Sequence, residues 1–134
     1  MIQTRRIALV ALLLAPSVAL AQPWKQVGKT RDSTAIFFKP SSVKRGGDTV
    51  SVQVLARYAP ENFLREGRDT IRAVMMAATF DCASEKVKVT ETIRYSNFDR
   101  GRIVSRSKPK IAGYGAVFGG TMPQVYPHVC PKRK

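Results

Sequence analysis

The chain has 134 residues, is 44% hydrophobic and sets 23 Lys and Arg against 9 acids and one histidine, for a net charge of +14. That length holds one domain and hardly two. Such a charge favours anionic partners (nucleic acid, lipid A phosphates, sulfated glycans or acidic protein patches), while a lone histidine leaves little for a paired-histidine nuclease or a metal cluster.

Residues 1–21 read as an export signal. Arg5 and Arg6 give the positive start, residues 7–15 (IALVALLLA) the apolar segment, and Ala19-Leu20-Ala21 the small-x-small cleavage pattern. The mature chain is then expected to start at Gln22, leaving 113 of the 134 residues. Losing two arginines takes Lys and Arg from 23 to 21 against 9 acids, a mature charge of +12. The apolar segment is short for a bilayer span, which makes a retained anchor the weaker alternative. No cysteine follows the cleavage site to carry a lipid, so a periplasmic or secreted protein is expected.

Residues 24–30 (WKQVGKT) alternate loosely and predict a short edge strand, followed by a turn at Arg31-Asp32-Ser33. Residues 34–39 (TAIFFK) carry the aromatic and β-branched side chains that suit a pleated surface, until Pro40 removes a ladder donor. Residues 41–43 are expected to continue that segment, and residues 44–48 (KRGGD) form the plainest hairpin turn. Residues 49–58 give the clearest strand, with Val50, Val52 and Val54 on one face and Ser51 and Gln53 on the other. Residues 59–69 (APENFLREGRD) read as a loop with one helical turn.

Residues 70–82 (TIRAVMMAATFDC) form the longest nearly uncharged run after the signal. Met75-Met76 and Ala77-Ala78 would also suit a buried helix. Clear strands on both sides and the Thr79-Phe80 ending favour a strand. After a tight turn at residues 83–86, residues 87–95 (VKVTETIRY) alternate again, with Val87, Val89, Ile93 and Tyr95 on one face. Glu91 falls on that apolar side, which means either a partly open face or an ion pair with an arginine such as Arg57 or Arg72. Residues 102–107 predict a final strand. From Lys108 the glycines at 113, 115, 119 and 120 indicate an extended linker. Thr121-Met122-Pro123-Gln124 then resembles a capped helix start, with Val125 and Val129 on one face and Pro127 limiting it to one or two turns. Residues 132–134 are a frayed basic tail.

Cys82 and Cys130 are the only cysteines. In an oxidising compartment two such cysteines most often pair. Metal ligation lacks further ligands and a redox pair lacks close spacing. Closing the loop between them would restrict the unfolded chain by about 4 kcal/mol in the chain-entropy model.

This order of motifs resembles the surface-adhesin protein E-like family of bacterial envelope proteins. A proline-and-serine segment (residues 39–43) precedes a valine-alternating strand, and a long strand closes in Phe80-Asp81-Cys82. A strand ending in Tyr95-Ser96, a loop with Gly101, a strand with Val104 and a terminal Val129-Cys130 complete it. The resemblance implies an α+β, mainly β fold: a single antiparallel sheet of about six strands, with a short C-terminal helix on its concave side tethered by a Cys82–Cys130 disulfide. It implies a non-enzymatic, macromolecule-binding or adhesin-like role. The missing lipidation cysteine, Pro127 and the glycine-rich residues 114–120 depart from the family pattern.

No nucleophile elbow, phosphate loop, metal motif or dinucleotide fingerprint is present, and no cofactor is expected. Asp81 has no acid partner alternating with it and is expected to serve as a cap or at a ladder edge. His128 beside Pro127 suits a structural role better than hydrolysis. The remaining candidate site is basic: Lys86, Lys88 and Arg94 share one parity on their strand, and Arg100, Arg102 and Arg106 share one on the next. If the two strands pair with those faces together, six cations line one surface that would attract phosphate or sulfate groups. Two functions follow: a binding module contacting a host or envelope macromolecule, or a basic protein binding lipopolysaccharide, nucleic acid or sulfated glycan non-specifically.

Overall fold

The computed structural model describes residues 24–99, 101–110, 113–117 and 120–131. The expected export signal at residues 1–21 and the basic tail at residues 132–134 lie outside the described residues.

The fold is mainly β, with ten strands and one α-helix among the described residues, and it bears out the expected architecture. The strands are β1 (Lys25–Lys29), β2 (Ala35–Phe38), β3 (Lys44–Gly46), β4 (Thr49–Arg57), β5 (Leu64–Glu66), β6 (Asp69–Ile71), β7 (Ala73–Asp81), β8 (Lys86–Asn97), β9 (Arg102–Ser107) and β10 (Gly115–Ala116). A helix, α1 (Met122–Val129), follows. The main sheet runs β1-β2-β4-β7-β8-β10, with antiparallel pairing between all neighbours. β3 lies end to end with β2 along one edge of β4, and β9 lies end to end with β10 along the outer edge of β8.

The period-two pattern of β4 decides where the core sits. Val50, Val52, Val54 and Ala56 point to one face and pair in register with Phe80, Ala78, Met76 and Val74 of β7. α1 lies over this face and adds Val125 and Val129, which are fully buried beside Ile36, Phe38 and Phe80. Cys82 and Cys130 are bonded, with Cα atoms 5.4 Å apart, and Tyr126 donates its hydroxyl to the Cys82 carbonyl at 3.2 Å. The helix is thus fixed both covalently and by packing to the end of β7.

β7 is a strand, as expected. Its apolar character on both faces has a physical cause. The face turned away from the helix carries a second, smaller cluster of Leu55, Ala73, Ile93 and Tyr95, flanked by Trp24, Phe37, Met75 and Phe98.

Several local expectations are corrected. Residues 41–43 do not extend β2. Pro40–Ser42 form a 3-10 turn instead, with the Ser42 hydroxyl donating to the Lys39 carbonyl at 2.6 Å. The polar stretch after Tyr58 holds a 3-10 turn at Pro60–Asn62 and then a two-stranded hairpin, β5–β6. Its turn needs the left-handed backbone of Gly67 (φ 61°). Gly115 and Ala116 pair with Val87 and Lys86, so the glycine-rich segment is partly laddered rather than a free linker. Thr121 has helical angles and makes no side-chain cap bond, so the expected cap is absent. The eight-residue helix makes just over two turns, with Pro127 near its end.

Candidate binding surfaces

The six candidate cations do not form one surface. β7 and β8 pair with a register shift: Ala77 faces Glu91 whereas Ala78 faces Val89, leaving Thr90 as an extra residue. Such a bulge reverses the parity of everything after it. Lys86 and Lys88 therefore share the open face, away from the helix, with Glu91, Ile93 and Tyr95, while Thr92 and Arg94 turn to the helix face. There Arg94 donates to Ser105 Oγ at 3.4 Å and Ser107 Oγ at 3.2 Å. Arg106 pairs opposite Ile93, so it is on the open face, and its guanidinium is 3.2 Å from Glu91. Lys108 is 3.9 Å from the same carboxylate, so Glu91 is paired, though with neither Arg57 nor Arg72. Arg102 lies 3.8 Å from Asp69 on the hairpin. Arg100 lies outside the described residues.

The structure assembles a different row of polar groups on the open face. Lys44, Ser51, Thr79 and Lys88 stand opposite one another across β3, β4, β7 and β8. Three interstrand steps put the two lysines roughly 15 Å apart at the backbone. Ser51 and Thr79 share a hydrogen bond at 3.1 Å, and the Lys88 ammonium sits 4.9 Å from the centre of the Tyr114 ring. A groove of about 350 Å3 lies here, lined by Lys39, Lys44, Ser51, Gln53, Thr79 and Thr90. Lys44 was hidden from sequence reasoning because it belongs to the turn segment, and only the short β3 ladder brings it to this row.

The other end of the open face is aromatic. Phe98 meets Tyr95 and Trp24 edge-on, with ring centroids 5.1 and 5.7 Å away. The Arg57 guanidinium lies 5.4 Å from the Phe98 ring and 5.9 Å from Phe37, and is bonded to Asp99. These residues come from four separate segments, and no spacing in the chain announces the cluster.

On the helix face, a depression of about 660 Å3 opens between the β1–β2 turn and the start of α1. Asp32 is its acid. Hydrogen bonds from the Thr30 and Thr34 hydroxyls hold its carboxyl below the usual carboxylate range. Tyr58, at the same wall, is pushed up by burial and secondarily by the Asp32 charge. Asp81 behaves as expected of a turn cap. Its carboxylate accepts the backbone N–H groups of Ser84 (3.2 Å) and Ala83 (3.1 Å), which lowers its pKa, the Ser84 bond foremost. His128 is exposed on α1 with its ring 5.8 Å from Phe38. Among the described residues no group of three or more His, Cys, Asp and Glu side chains could hold a metal. No helix of the described residues is long and apolar enough to cross a membrane.

The surface-adhesin protein E family model matches residues 24–114, more than half of the chain. This chain belongs to the surface-adhesin protein E family. The match takes in every strand from β1 to β9 and Cys82, while α1 and Cys130 lie beyond it. No curated protein matches the chain.

Proposed function

We propose that this chain is an exported, non-enzymatic member of the protein E family that captures a macromolecule of the host or of the bacterial envelope through the open face of its sheet. The observation that carries this reading is the family match over residues 24–114, which takes in every strand from β1 to β9. The distribution of cover supports it: α1 occupies one face, whereas on the other no helix or strand of the described residues lies across the Lys44–Ser51–Thr79–Lys88 row or the Trp24–Phe98 cluster. Residues 22–134 would be the mature domain, in the periplasm or outside the cell.

A second reading has its own support in the charge, +14 for the whole sequence and +12 without Arg5 and Arg6: non-specific binding of an anionic polymer. Salt separates the two. Immobilised mature protein is exposed to envelope and host-surface extracts, and bound material is eluted in rising salt. Polymer binding collapses between about 50 and 200 mM salt through counterion release. A shape-matched partner stays bound and is lost with Thr79→Arg, which plants a bulky cation in the middle of the open face. Capture that is salt-resistant yet indifferent to Thr79→Arg would contradict the open-face reading. Turnover in a hydrolase screen that disappears in His128→Ala would contradict the non-enzymatic one.

A further inference from the structure

The β5–β6 hairpin does not join the main sheet, yet it is anchored beside it. Ser105 of β9 donates its hydroxyl to Glu66 Oε2 at 3.0 Å, and Arg102 of β9 is 3.8 Å from Asp69 of β6. Between β6 and β7 the chain passes through Arg72, whose N–H donates to the Tyr95 carbonyl (2.9 Å) and whose carbonyl accepts from Tyr58 N–H (3.0 Å). Between hairpin and sheet lies an open cleft of about 360 Å3, within the range of small-ligand sites. Arg68, Arg72 and Arg102 line it together with Thr70, Ser96 and Asn97.

Three features give this cleft a chemical preference. First, three arginines and a single acid, Asp69, line it, which leaves two positive charges in excess. Second, Arg72 stands between this cleft and a neighbouring depression: its backbone is held at both ends, and its guanidinium centre lies 5.2 Å from the ring of Phe63, which lines the neighbour. Third, Ser96 Oγ is buried with no hydrogen-bond partner, the only such side-chain oxygen or nitrogen among the described residues. A buried hydroxyl without a partner is costly, so Ser96 would gain by turning its Oγ out of the wall towards an acceptor held in the cleft. The Arg102–Asp69 contact does not block this. It is long and largely exposed, and such pairs contribute little.

We infer that the cleft binds one tetrahedral oxyanion, a sulfate or phosphate group, free or as an ester on a larger molecule. The planar forks of Arg68, Arg72 and Arg102 match its oxygens in pairs, and the Thr70 and Ser96 hydroxyls supply neutral donors. Only Arg102 belongs to the candidates readable from the sequence. Arg68 sits in a hairpin turn and Arg72 at a strand junction, so neither shares a parity with the others. The inference is independent of whether the chain captures a macromolecule.

Titration of the disulfide-intact protein with inorganic phosphate and inorganic sulfate, at constant ionic strength made up with chloride, tests it. Arginine side-chain NMR reports the site. The Arg68, Arg72 and Arg102 resonances should shift together with a dissociation constant of roughly millimolar or below. Arg72→Ala should weaken binding about tenfold or more, as should Arg72→Lys, which keeps the charge and loses the fork. Ser96→Ala changes no charge and should weaken it less. The double variant Lys25→Ala/Lys110→Ala removes two cations elsewhere and sets the baseline. Titration with glucose-6-phosphate and glucose-6-sulfate then separates an ester from the free ion. The inference is overturned if the three resonances do not move, or if Arg72→Ala weakens binding no more than the Lys25/Lys110 baseline. Either result leaves salt-resistant capture untouched.

Discussion

A single residue, Thr90, decides which cations meet. As the extra residue in the β7–β8 register it sends Arg94 to the helix face and leaves Lys86 and Lys88 on the other. The sign of it in the chain was Glu91, an acid at an apolar parity, because uninterrupted alternation would have buried it. Alternation alone cannot tell a misplaced acid from a bulge, and only the partner strand fixes the register. With Arg106 and Lys108 as its partners on a partly exposed surface, Glu91→Ala should lower stability by no more than about 1 kcal/mol in urea unfolding. Asp81 offers a test by pH. Its folded-state pKa lies below the unfolded value because Ser84 and Ala83 N–H groups bond the carboxylate. The stabilisation it confers is therefore complete above the unfolded pKa of about 4 and is lost as pH falls through the folded one. Asp81→Asn should flatten the loss of stability on acidification below about pH 4, with little change in that slope near neutrality.

At the scale of elements, legibility followed hydrophobic periodicity. β4 was readable because its buried face repeats every second residue, β7 because clear strands flank it and it ends in Thr79-Phe80, and α1 because Val125 and Val129 fall one turn apart. The β5–β6 hairpin was not, since β5 (Leu-Arg-Glu) is wholly exposed and carries no pattern to read. β10 escaped notice for the same reason, its two residues being glycine and alanine. The Thr121 cap was a false signal: sequence alone does not show that the chain enters α1 with helical angles already at that residue. Because Val125 is fully buried in the core beneath α1, Val125→Ala should cost about 2 kcal/mol of stability, read from the denaturation midpoint. Replacing both cysteines by alanine frees a chain segment spanning 48 residues of sequence. The expected loss is about 4 kcal/mol if unfolded-chain entropy dominates.

For the whole molecule, the excess of positive charge is spread over both faces and the hairpin rather than gathered in one stripe. Long-range attraction to anionic surfaces follows from the total of +14, whereas selectivity must come from local arrangements: the lysine row, the aromatic end of the open face and the arginine cleft. All three depend on a sheet whose other face is already occupied, and that occupation depends on α1 staying in place. Hydrogen exchange of the backbone amides, with the Cys82–Cys130 bond intact and after its reduction, measures this directly. In the intact protein the Val129 and Cys130 amides should be protected nearly as well as those of Val52 and Ala78. After reduction α1 should exchange at least tenfold faster while β4 and β7 keep their protection. Equal protection of α1 in both states, or rapid exchange of α1 with the disulfide intact, would contradict the covalently held helix.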